Sequence, residues 1–327
     1  YGRSGKQQHS PPKKKGRLTE EEINALLDRF INKYLKLTRP LADDARDAAI
    51  DRIRAYLSNA SASDFSNGDE FADALFEQVK DSYQAAFTSR RAEQIVKRTT
   101  EEIYKFYRLR DSTPFGGDSP VKLRFGGPDT RAVRFFNKLD NFYFSTFVDN
   151  RRDEIKTFLR DEYLEKGAAL FGRGTKEELD DFRRAAGGKL DKVNDRAVDT
   201  IVVSSVQRVR NYAHINSLRQ AKFKRGKIIA ILDTRTSEIC QHLDGKYINI
   251  GVAAETIDRL TELEPGDYAK ELYKSEQGRS FASDPVNYVK DRISDDGLID
   301  DSLVAEGRGF PPYHPRCRTR VEGVFEK

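Results

Sequence analysis

The chain has 327 residues, a hydrophobic fraction of 37%, 10% aromatics, 58 Lys plus Arg against 53 Asp plus Glu, and two cysteines. This length suits about two domains with a sizeable core, the apolar content excludes a wholly disordered chain, and two cysteines exclude a small disulfide-framed secreted scaffold. No run approaches the ~20 apolar residues of a membrane-spanning helix, and no apolar h-region of a signal peptide follows the basic first residues, so no membrane partner is expected.

Charge is unevenly placed. Residues 1–17 hold Arg3, Lys6, Lys13, Lys14, Lys15 and Arg17 and no acid, so these six cations exceed the net charge of +5 and leave the remainder one unit acidic. With Pro11, Pro12 and three glycines but nothing apolar to bury, this segment is expected to be a disordered basic tail.

Order is expected to begin at Thr19, where Glu20, Glu21 and Glu22 complete a capping-box pattern ahead of Ile23, Leu26, Leu27, Phe30, Ile31, Tyr34 and Leu35 at helical spacing. Pro40 suits the first turn of a second helix or the turn before it. Ser58 to Gly68 reads as a loop, and a single long helix is predicted from Asp69 to Leu109. A Phe-Gly-Gly-containing loop follows, with a short strand over Val121–Phe125. The pattern is helical again from Asp129 to Phe171, and its dense aromatics (Phe135, Phe136, Phe142, Tyr143, Phe144, Phe147) read as core or as a partner face. Thr175 and Glu178 cap a short helix to Ala186, which Gly187-Gly188 is expected to break before a last long helix to Ala221.

The fold class is therefore α+β, mostly helical, with a helical N-terminal body and a small strand-containing C-terminal domain. The expected divisions are the tail at 1–17, helical regions at 18–128 and 129–226, and a C-terminal domain at 227–327 with an insertion near 250–308.

Two distant segments carry the most specific pattern. The first, residues 227–247, reads as a buried strand, a polar turn at Asp233–Thr236, a helical turn through Cys240 and a turn at Gly245. The second, residues 309–319, is a Pro-braced loop presenting His314, Cys317, Arg316 and Arg318. Together they resemble the phage Mu F-like head morphogenesis family, minor capsid proteins of tailed bacteriophages. That family's pattern is Leu-Asp-x-Arg-Thr at a strand end, Cys-x-x-Cys, Leu-Asp-Gly, and a closing Pro-x-His-x-x-Cys-Arg-Cys. Leu232, Asp233, Arg235, Thr236, Cys240, Leu243, Asp244, Gly245, Pro312, His314, Cys317 and Arg318 match it, while Ser237 and Thr319 stand where the family often has cysteines.

The resemblance implies a portal-associated minor head protein, assisting head morphogenesis and DNA packaging or delivery. Its partners would be the portal protein and capsid or scaffold proteins. Its location would be the virion interior near the portal vertex, after assembly in the host cytoplasm. A non-specific DNA-binding protein is the alternative, and a Cys/His enzyme or toxin-related protein the remaining one.

Three readings of the Cys/His residues stand side by side. Zinc needs four soft or imidazole ligands, and the available set is Cys240, His242, His314 and Cys317. A Cys240–Cys317 disulfide would close a large loop. Alternatively, motif hydrogen bonds alone pin the C-terminal loop to the strand. Structural zinc is thus the one cofactor considered. Cys240, His314 and Asp233 also contain the ingredients of a thiol nucleophile, but no P-loop, GxGxxG, HExxH or EF-hand pattern accompanies them. The expectation is no enzyme.

Residues 200–232 hold Arg208, Arg210, Arg219, Lys222, Lys224, Arg225 and Lys227 and no acid. That block and Lys13, Lys14, Lys15 and Arg17 are the candidate contacts to double-stranded DNA, without sequence readout and with strong salt dependence.

Overall fold

The computed structural model describes residues 20–61, 64–110, 123–166, 176–273, 281 and 283–324. The basic tail, most of the Phe-Gly-Gly loop and the Phe171–Gly174 break lie outside the described residues. The chain folds as a mostly helical α+β protein with eleven α-helices and a three-stranded antiparallel sheet among the described residues.

The first helix, α1 (Glu20–Asn59), runs through Pro40 instead of breaking there. An interior proline costs ~3 kcal/mol, and burial of Tyr34, Leu41, Ala42, Ala45 and Ala49 around it offsets that cost. The predicted Asp69–Leu109 helix is instead two, α2 (Gly68–Phe87) and α3 (Arg90–Arg110). The hydroxyl of Thr88 donates to the carbonyl of Gln84, while that of Ser89 accepts from the N–H of Ala92, so the Thr-Ser pair ends one helix and caps the next. Helices α4 (Gly127–Thr146) and α5 (Arg152–Lys166) follow; Leu123–Phe125 forms no strand. In α4, Phe135, Phe136 and Phe144 are buried, so most of the aromatic cluster is core.

The longest helix, α6 (Lys176–Gln220), passes through Gly187-Gly188 without interruption. Each glycine costs about 1 kcal/mol relative to alanine in a helix. At Gly187 the neighbouring helix lies so close that a Cβ would sit 3.3 Å from Ile50 Cδ1. Phe182, Ala186, Leu190 and Val193 continue that buried seam on either side. Helix α6 packs against α1, α3 and α4, and beyond residue 197 it is buried nearly all round.

Most of its buried polar side chains are consequently paired inside the protein, although Gln207 Oε1 and Asn216 Oδ1 find no partner among the described residues. Asp140 of α4 accepts hydrogen bonds from Ser205 of α6, from Tyr34 at 3.1 Å and from Thr100 at 3.4 Å. Arg108 of α3 forms an ion pair with Asp129 of α4 at 2.7 Å, both side chains 4% exposed. The same guanidinium donates to Ser217 at 3.3 Å and to Gln220 at 3.1 Å.

After α6 come β1 (Arg225–Ile229), α7 (Glu238–Leu243), β2 (Tyr247–Asn249), α8 (Ile250–Leu260), α9 (Pro265–Tyr273), α10 (Pro285–Val289), α11 (Asp301–Ala305) and β3 (Arg320–Val324). The sheet order is β2-β1-β3, with Arg225 opposite both Asn249 and Val324. Gly226 in the central strand leaves no room for a side chain, since a Cβ would lie 2.5 Å from Val321 and 2.7 Å from Ile250. The stretch between β2 and β3 is not a loose excursion: α8 packs on α6, α11 packs on α8, and Ile257, Leu260, Ile299, Leu303 and Val304 are fully buried.

Burial lifts the Asp140 carboxyl to about 6, against the opposing hydrogen bond from Ser205 and the charge of Arg208. Between about pH 4 and pH 6 the unfolded carboxyl is ionised while the folded one keeps its proton, so stability falls as pH rises through that window. Asp140→Asn should remove this slope. Chemical denaturation of both proteins across the window should find the stability of the variant gaining on the parent by about 3 kcal/mol, with no further change above neutral pH.

Candidate functional site

Strand β1 delivers the chain to the Asp233 turn, whose shape its own side chains set. Asp233 Oδ1 accepts the N–H of Arg235 at 2.8 Å, and Thr236 Oγ1 accepts the N–H of Asp233 at 2.8 Å while donating to the carbonyl of Ile231. Such Asx and Ser/Thr turns fold locally, from side chains two or three residues apart. Ser237 then caps α7, its Oγ accepting from the N–H of Cys240 at 3.4 Å. At the far end of α7, Asp244 Oδ1 accepts the N–H of Ala230 at 2.8 Å, and Gly245 takes φ +77°, a left-handed conformation that favours glycine. The matched Leu232, by contrast, is 62% exposed and contributes nothing to the core.

The C-terminal loop closes over this turn. Arg318 binds Asp233 through both guanidinium nitrogens, at 2.8 and 2.6 Å, a fork-to-carboxylate pair that fixes orientation as well as charge. That contact holds the Asp233 carboxyl well below its usual range and raises the Arg318 value. Pro312 lies in the same loop, after a cis peptide bond from Pro311. Helix α6 supplies the floor. Asn211 donates to the carbonyl of Thr319 at 3.1 Å, Arg210 to the same oxygen at 3.2 Å, Ser204 accepts the N–H of Arg316 at 3.0 Å, and Asp199 pairs with the Arg316 side chain at 2.8 Å.

Inside this frame, Cys240, His314 and Cys317 place their ligand atoms within 4.8 Å of one another. Cys240 Sγ lies 3.2 Å from His314 Nε2 and 3.7 Å from Cys317 Sγ, and both thiols are free. Ser237 Oγ stands 2.8 Å from the same imidazole nitrogen. His314 Nδ1 lies 2.8 Å from the carbonyl of Pro315, an arrangement that turns Nε2 toward the sulfurs. The hydrogen bond with Cys317, then burial, push the Cys240 thiol up. Burial opposes ionisation of Cys317, but hydrogen bonds from Cys240, the Tyr313 backbone and Thr319 outweigh it and lower that thiol. The contact with Cys240 raises His314 despite its burial.

His242 does not belong to this cluster. It sits two residues beyond Cys240 on α7, and its Nε2 is buried without a hydrogen-bond partner. The sequence-derived four-residue set therefore reduces to three, with Ser237 beside them. Sequence reasoning does not find Ser237, Asp199, Ser204 or Asn211 as site residues. The N-cap position of Ser237 ahead of Glu238 and Cys240 is a readable signal, whereas the α6 residues contact a loop more than 100 positions away in sequence and leave no local trace.

The cations of the 200–232 block do not share one exposed face. Arg210 is 4% exposed and serves the C-terminal loop, while Arg208 stacks over Tyr143 and Tyr268 at 5.4 and 5.9 Å within the helical packing. Arg219 pairs with Asp258 at 2.5 Å and Arg225 with Asp296 at 3.5 Å. The absence of acids within the segment hid acids brought in from elsewhere. Lys222 and Lys224 are exposed; Lys13, Lys14, Lys15 and Arg17 lie outside the described residues.

Arg210→Ala should lower stability by about 2–4 kcal/mol, measured by urea denaturation, because the carbonyls of Arg318 and Thr319 lose a buried charged donor. The exposed Lys222→Ala variant should stay within about 0.5 kcal/mol of the parent. Asp233→Asn should leave the fold intact but raise the alkylation rate of Cys240 and Cys317 several-fold, by weakening the fork that closes the loop over them.

No family model, curated protein or solved structure matches the chain.

Proposed function

We propose that the chain is a minor head protein of a tailed bacteriophage or a related particle. In this reading it associates with the portal protein and with capsid or scaffold proteins, assembles in the host cytoplasm, and ends in the virion interior near the portal vertex. There it assists head morphogenesis and DNA packaging or delivery. One observation carries the reading: the two segments that resemble the Mu F-like pattern, 227–247 and 309–319, meet through Asp233 and Arg318 around Cys240, His314 and Cys317. Residues matched by pattern alone need not touch, and here they build one unit.

The reading gives the cluster a structural and not a catalytic role. Cys240 is 3% exposed and Cys317 is fully buried, so neither sulfur is open to a substrate carbonyl. The closed C-terminal loop and the α6 floor make a rigid module whose outer surface, including Leu232 and the exposed Arg235, is available to a partner. With Arg210 buried and Arg208 half-buried against Tyr143 and Tyr268, DNA contact in this reading falls to the tail cations and to Lys222 and Lys224. Such contact would be non-specific and salt-sensitive.

Particle incorporation tests the reading. The chain should be found in purified heads and should co-purify with the portal protein when the two are co-expressed, and Leu232→Asp should reduce that association without unfolding the chain. Heads and portal preparations that lack it entirely would refute the assignment. Deleting residues 1–17 should flatten the salt dependence of DNA binding, the slope shrinking by about 0.9 for each phosphate that the tail cations neutralise.

A further inference from the structure

We propose that Cys240, His314 and Cys317 form a binding site for a soft divalent cation of the zinc class, with Ser237 Oγ or a water in the fourth position. The proposal stands apart from the phage reading, since it concerns only the chemistry of these side chains.

The separations carry it. In a tetrahedral centre with metal–sulfur bonds of ~2.3 Å, two cysteine sulfurs stand ~3.8 Å apart, and a sulfur and an imidazole nitrogen ~3.5 Å apart. The observed values are 3.7 Å for Cys240 to Cys317 and 3.2 Å for Cys240 to His314, both within a few tenths of an ångström of that geometry, and all three ligand atoms lie within 4.8 Å of one another. Three ligand atoms on two different segments converge on one point, and the contact of His314 Nδ1 with the Pro315 carbonyl leaves Nε2 as the lone-pair face. Two thiolates and an imidazole select zinc-class ions over calcium or magnesium, which prefer oxygen ligands. Ser237 Oγ, 2.8 Å from His314 Nε2, stands where a fourth ligand would complete the set, and the half-buried Ser237 and His314 provide the side of entry. His242 is not a ligand in this site.

Cobalt reads this geometry directly. The whole chain, kept reduced and stripped with a chelator, is titrated with Co2+ and then with Zn2+. The expected result is one equivalent of Co2+ with the visible bands of a tetrahedral ion and a thiolate-to-cobalt charge-transfer band, all displaced by Zn2+. Cys317→Ser should lose at least half of the charge-transfer intensity, His242→Ala should keep the parent spectrum, and Ser237→Cys should bind at least about tenfold more tightly by adding a third sulfur. A folded parent chain without the charge-transfer band, a spectrum lost in His242→Ala, or Ser237→Cys no tighter than the parent would each overturn the assignment. So would a Cys240–Cys317 disulfide that forms on isolation and, once reduced, leaves thiols that take up no Co2+.

Discussion

A helix that is buried on nearly every side must find partners for each polar group it carries, and this constraint organises the whole molecule. Past residue 197, α6 contributes Val202, Val206, Val209, Ile215 and Leu218 to the core, yet it also carries the buried Ser205, Gln207, Arg210, Asn211, Asn216 and Ser217. Leaving one such group unsatisfied costs ~1–3 kcal/mol, and more if it is charged. Most are therefore matched by a neighbour: Ser205 by Asp140, Ser217 by Arg108, Asn216 by Tyr104, and Arg210 with Asn211 by the carbonyl of Thr319. These pairings dictate which helices lie beside α6 and where the C-terminal loop must sit.

The same constraint explains why the Cys/His cluster is well ordered despite being built from loops. The Asp233 turn is shaped by its own side chains, and the 312–319 loop is shaped from below by α6. The Asp233–Arg318 fork then joins two pieces already in position. Ion pairs at partly exposed sites contribute little to stability on their own, but a bidentate pair between preformed segments sets their register. The sulfurs and imidazole inherit that precision.

Much of this was legible in the residues. Helical periodicity gave the α-rich body, and the turn chemistry around Asp233, Thr236 and Gly245 gave the local geometry of the first motif. Pro40 and Gly187-Gly188 misled, because propensities of about 1–3 kcal/mol were outweighed by the packing of Tyr34, Leu41, Ile50 and Phe182. The Thr88-Ser89 break was written in capping residues but hidden by a continuous apolar pattern. Arg208 and Arg210 misled for a different reason. A run of cations without local acids looks solvated, and only the tertiary structure reveals the carbonyls, rings and distant carboxylates that receive them.

The register of the sheet has a bearing on the order in which the molecule forms. Strand β1 hydrogen-bonds on one side with nearby β2 but on the other with β3, which pairs Val324 with Arg225 across the whole intervening segment. Contacts between such distant positions carry a loop-closure cost that must be met before the pairing rewards it. The Asp233 turn forms from side chains a few residues apart, whereas joining Cys240 to His314 and Cys317 needs a segment more than 70 residues further along the chain. A closed cluster therefore marks a chain whose distant segments have met.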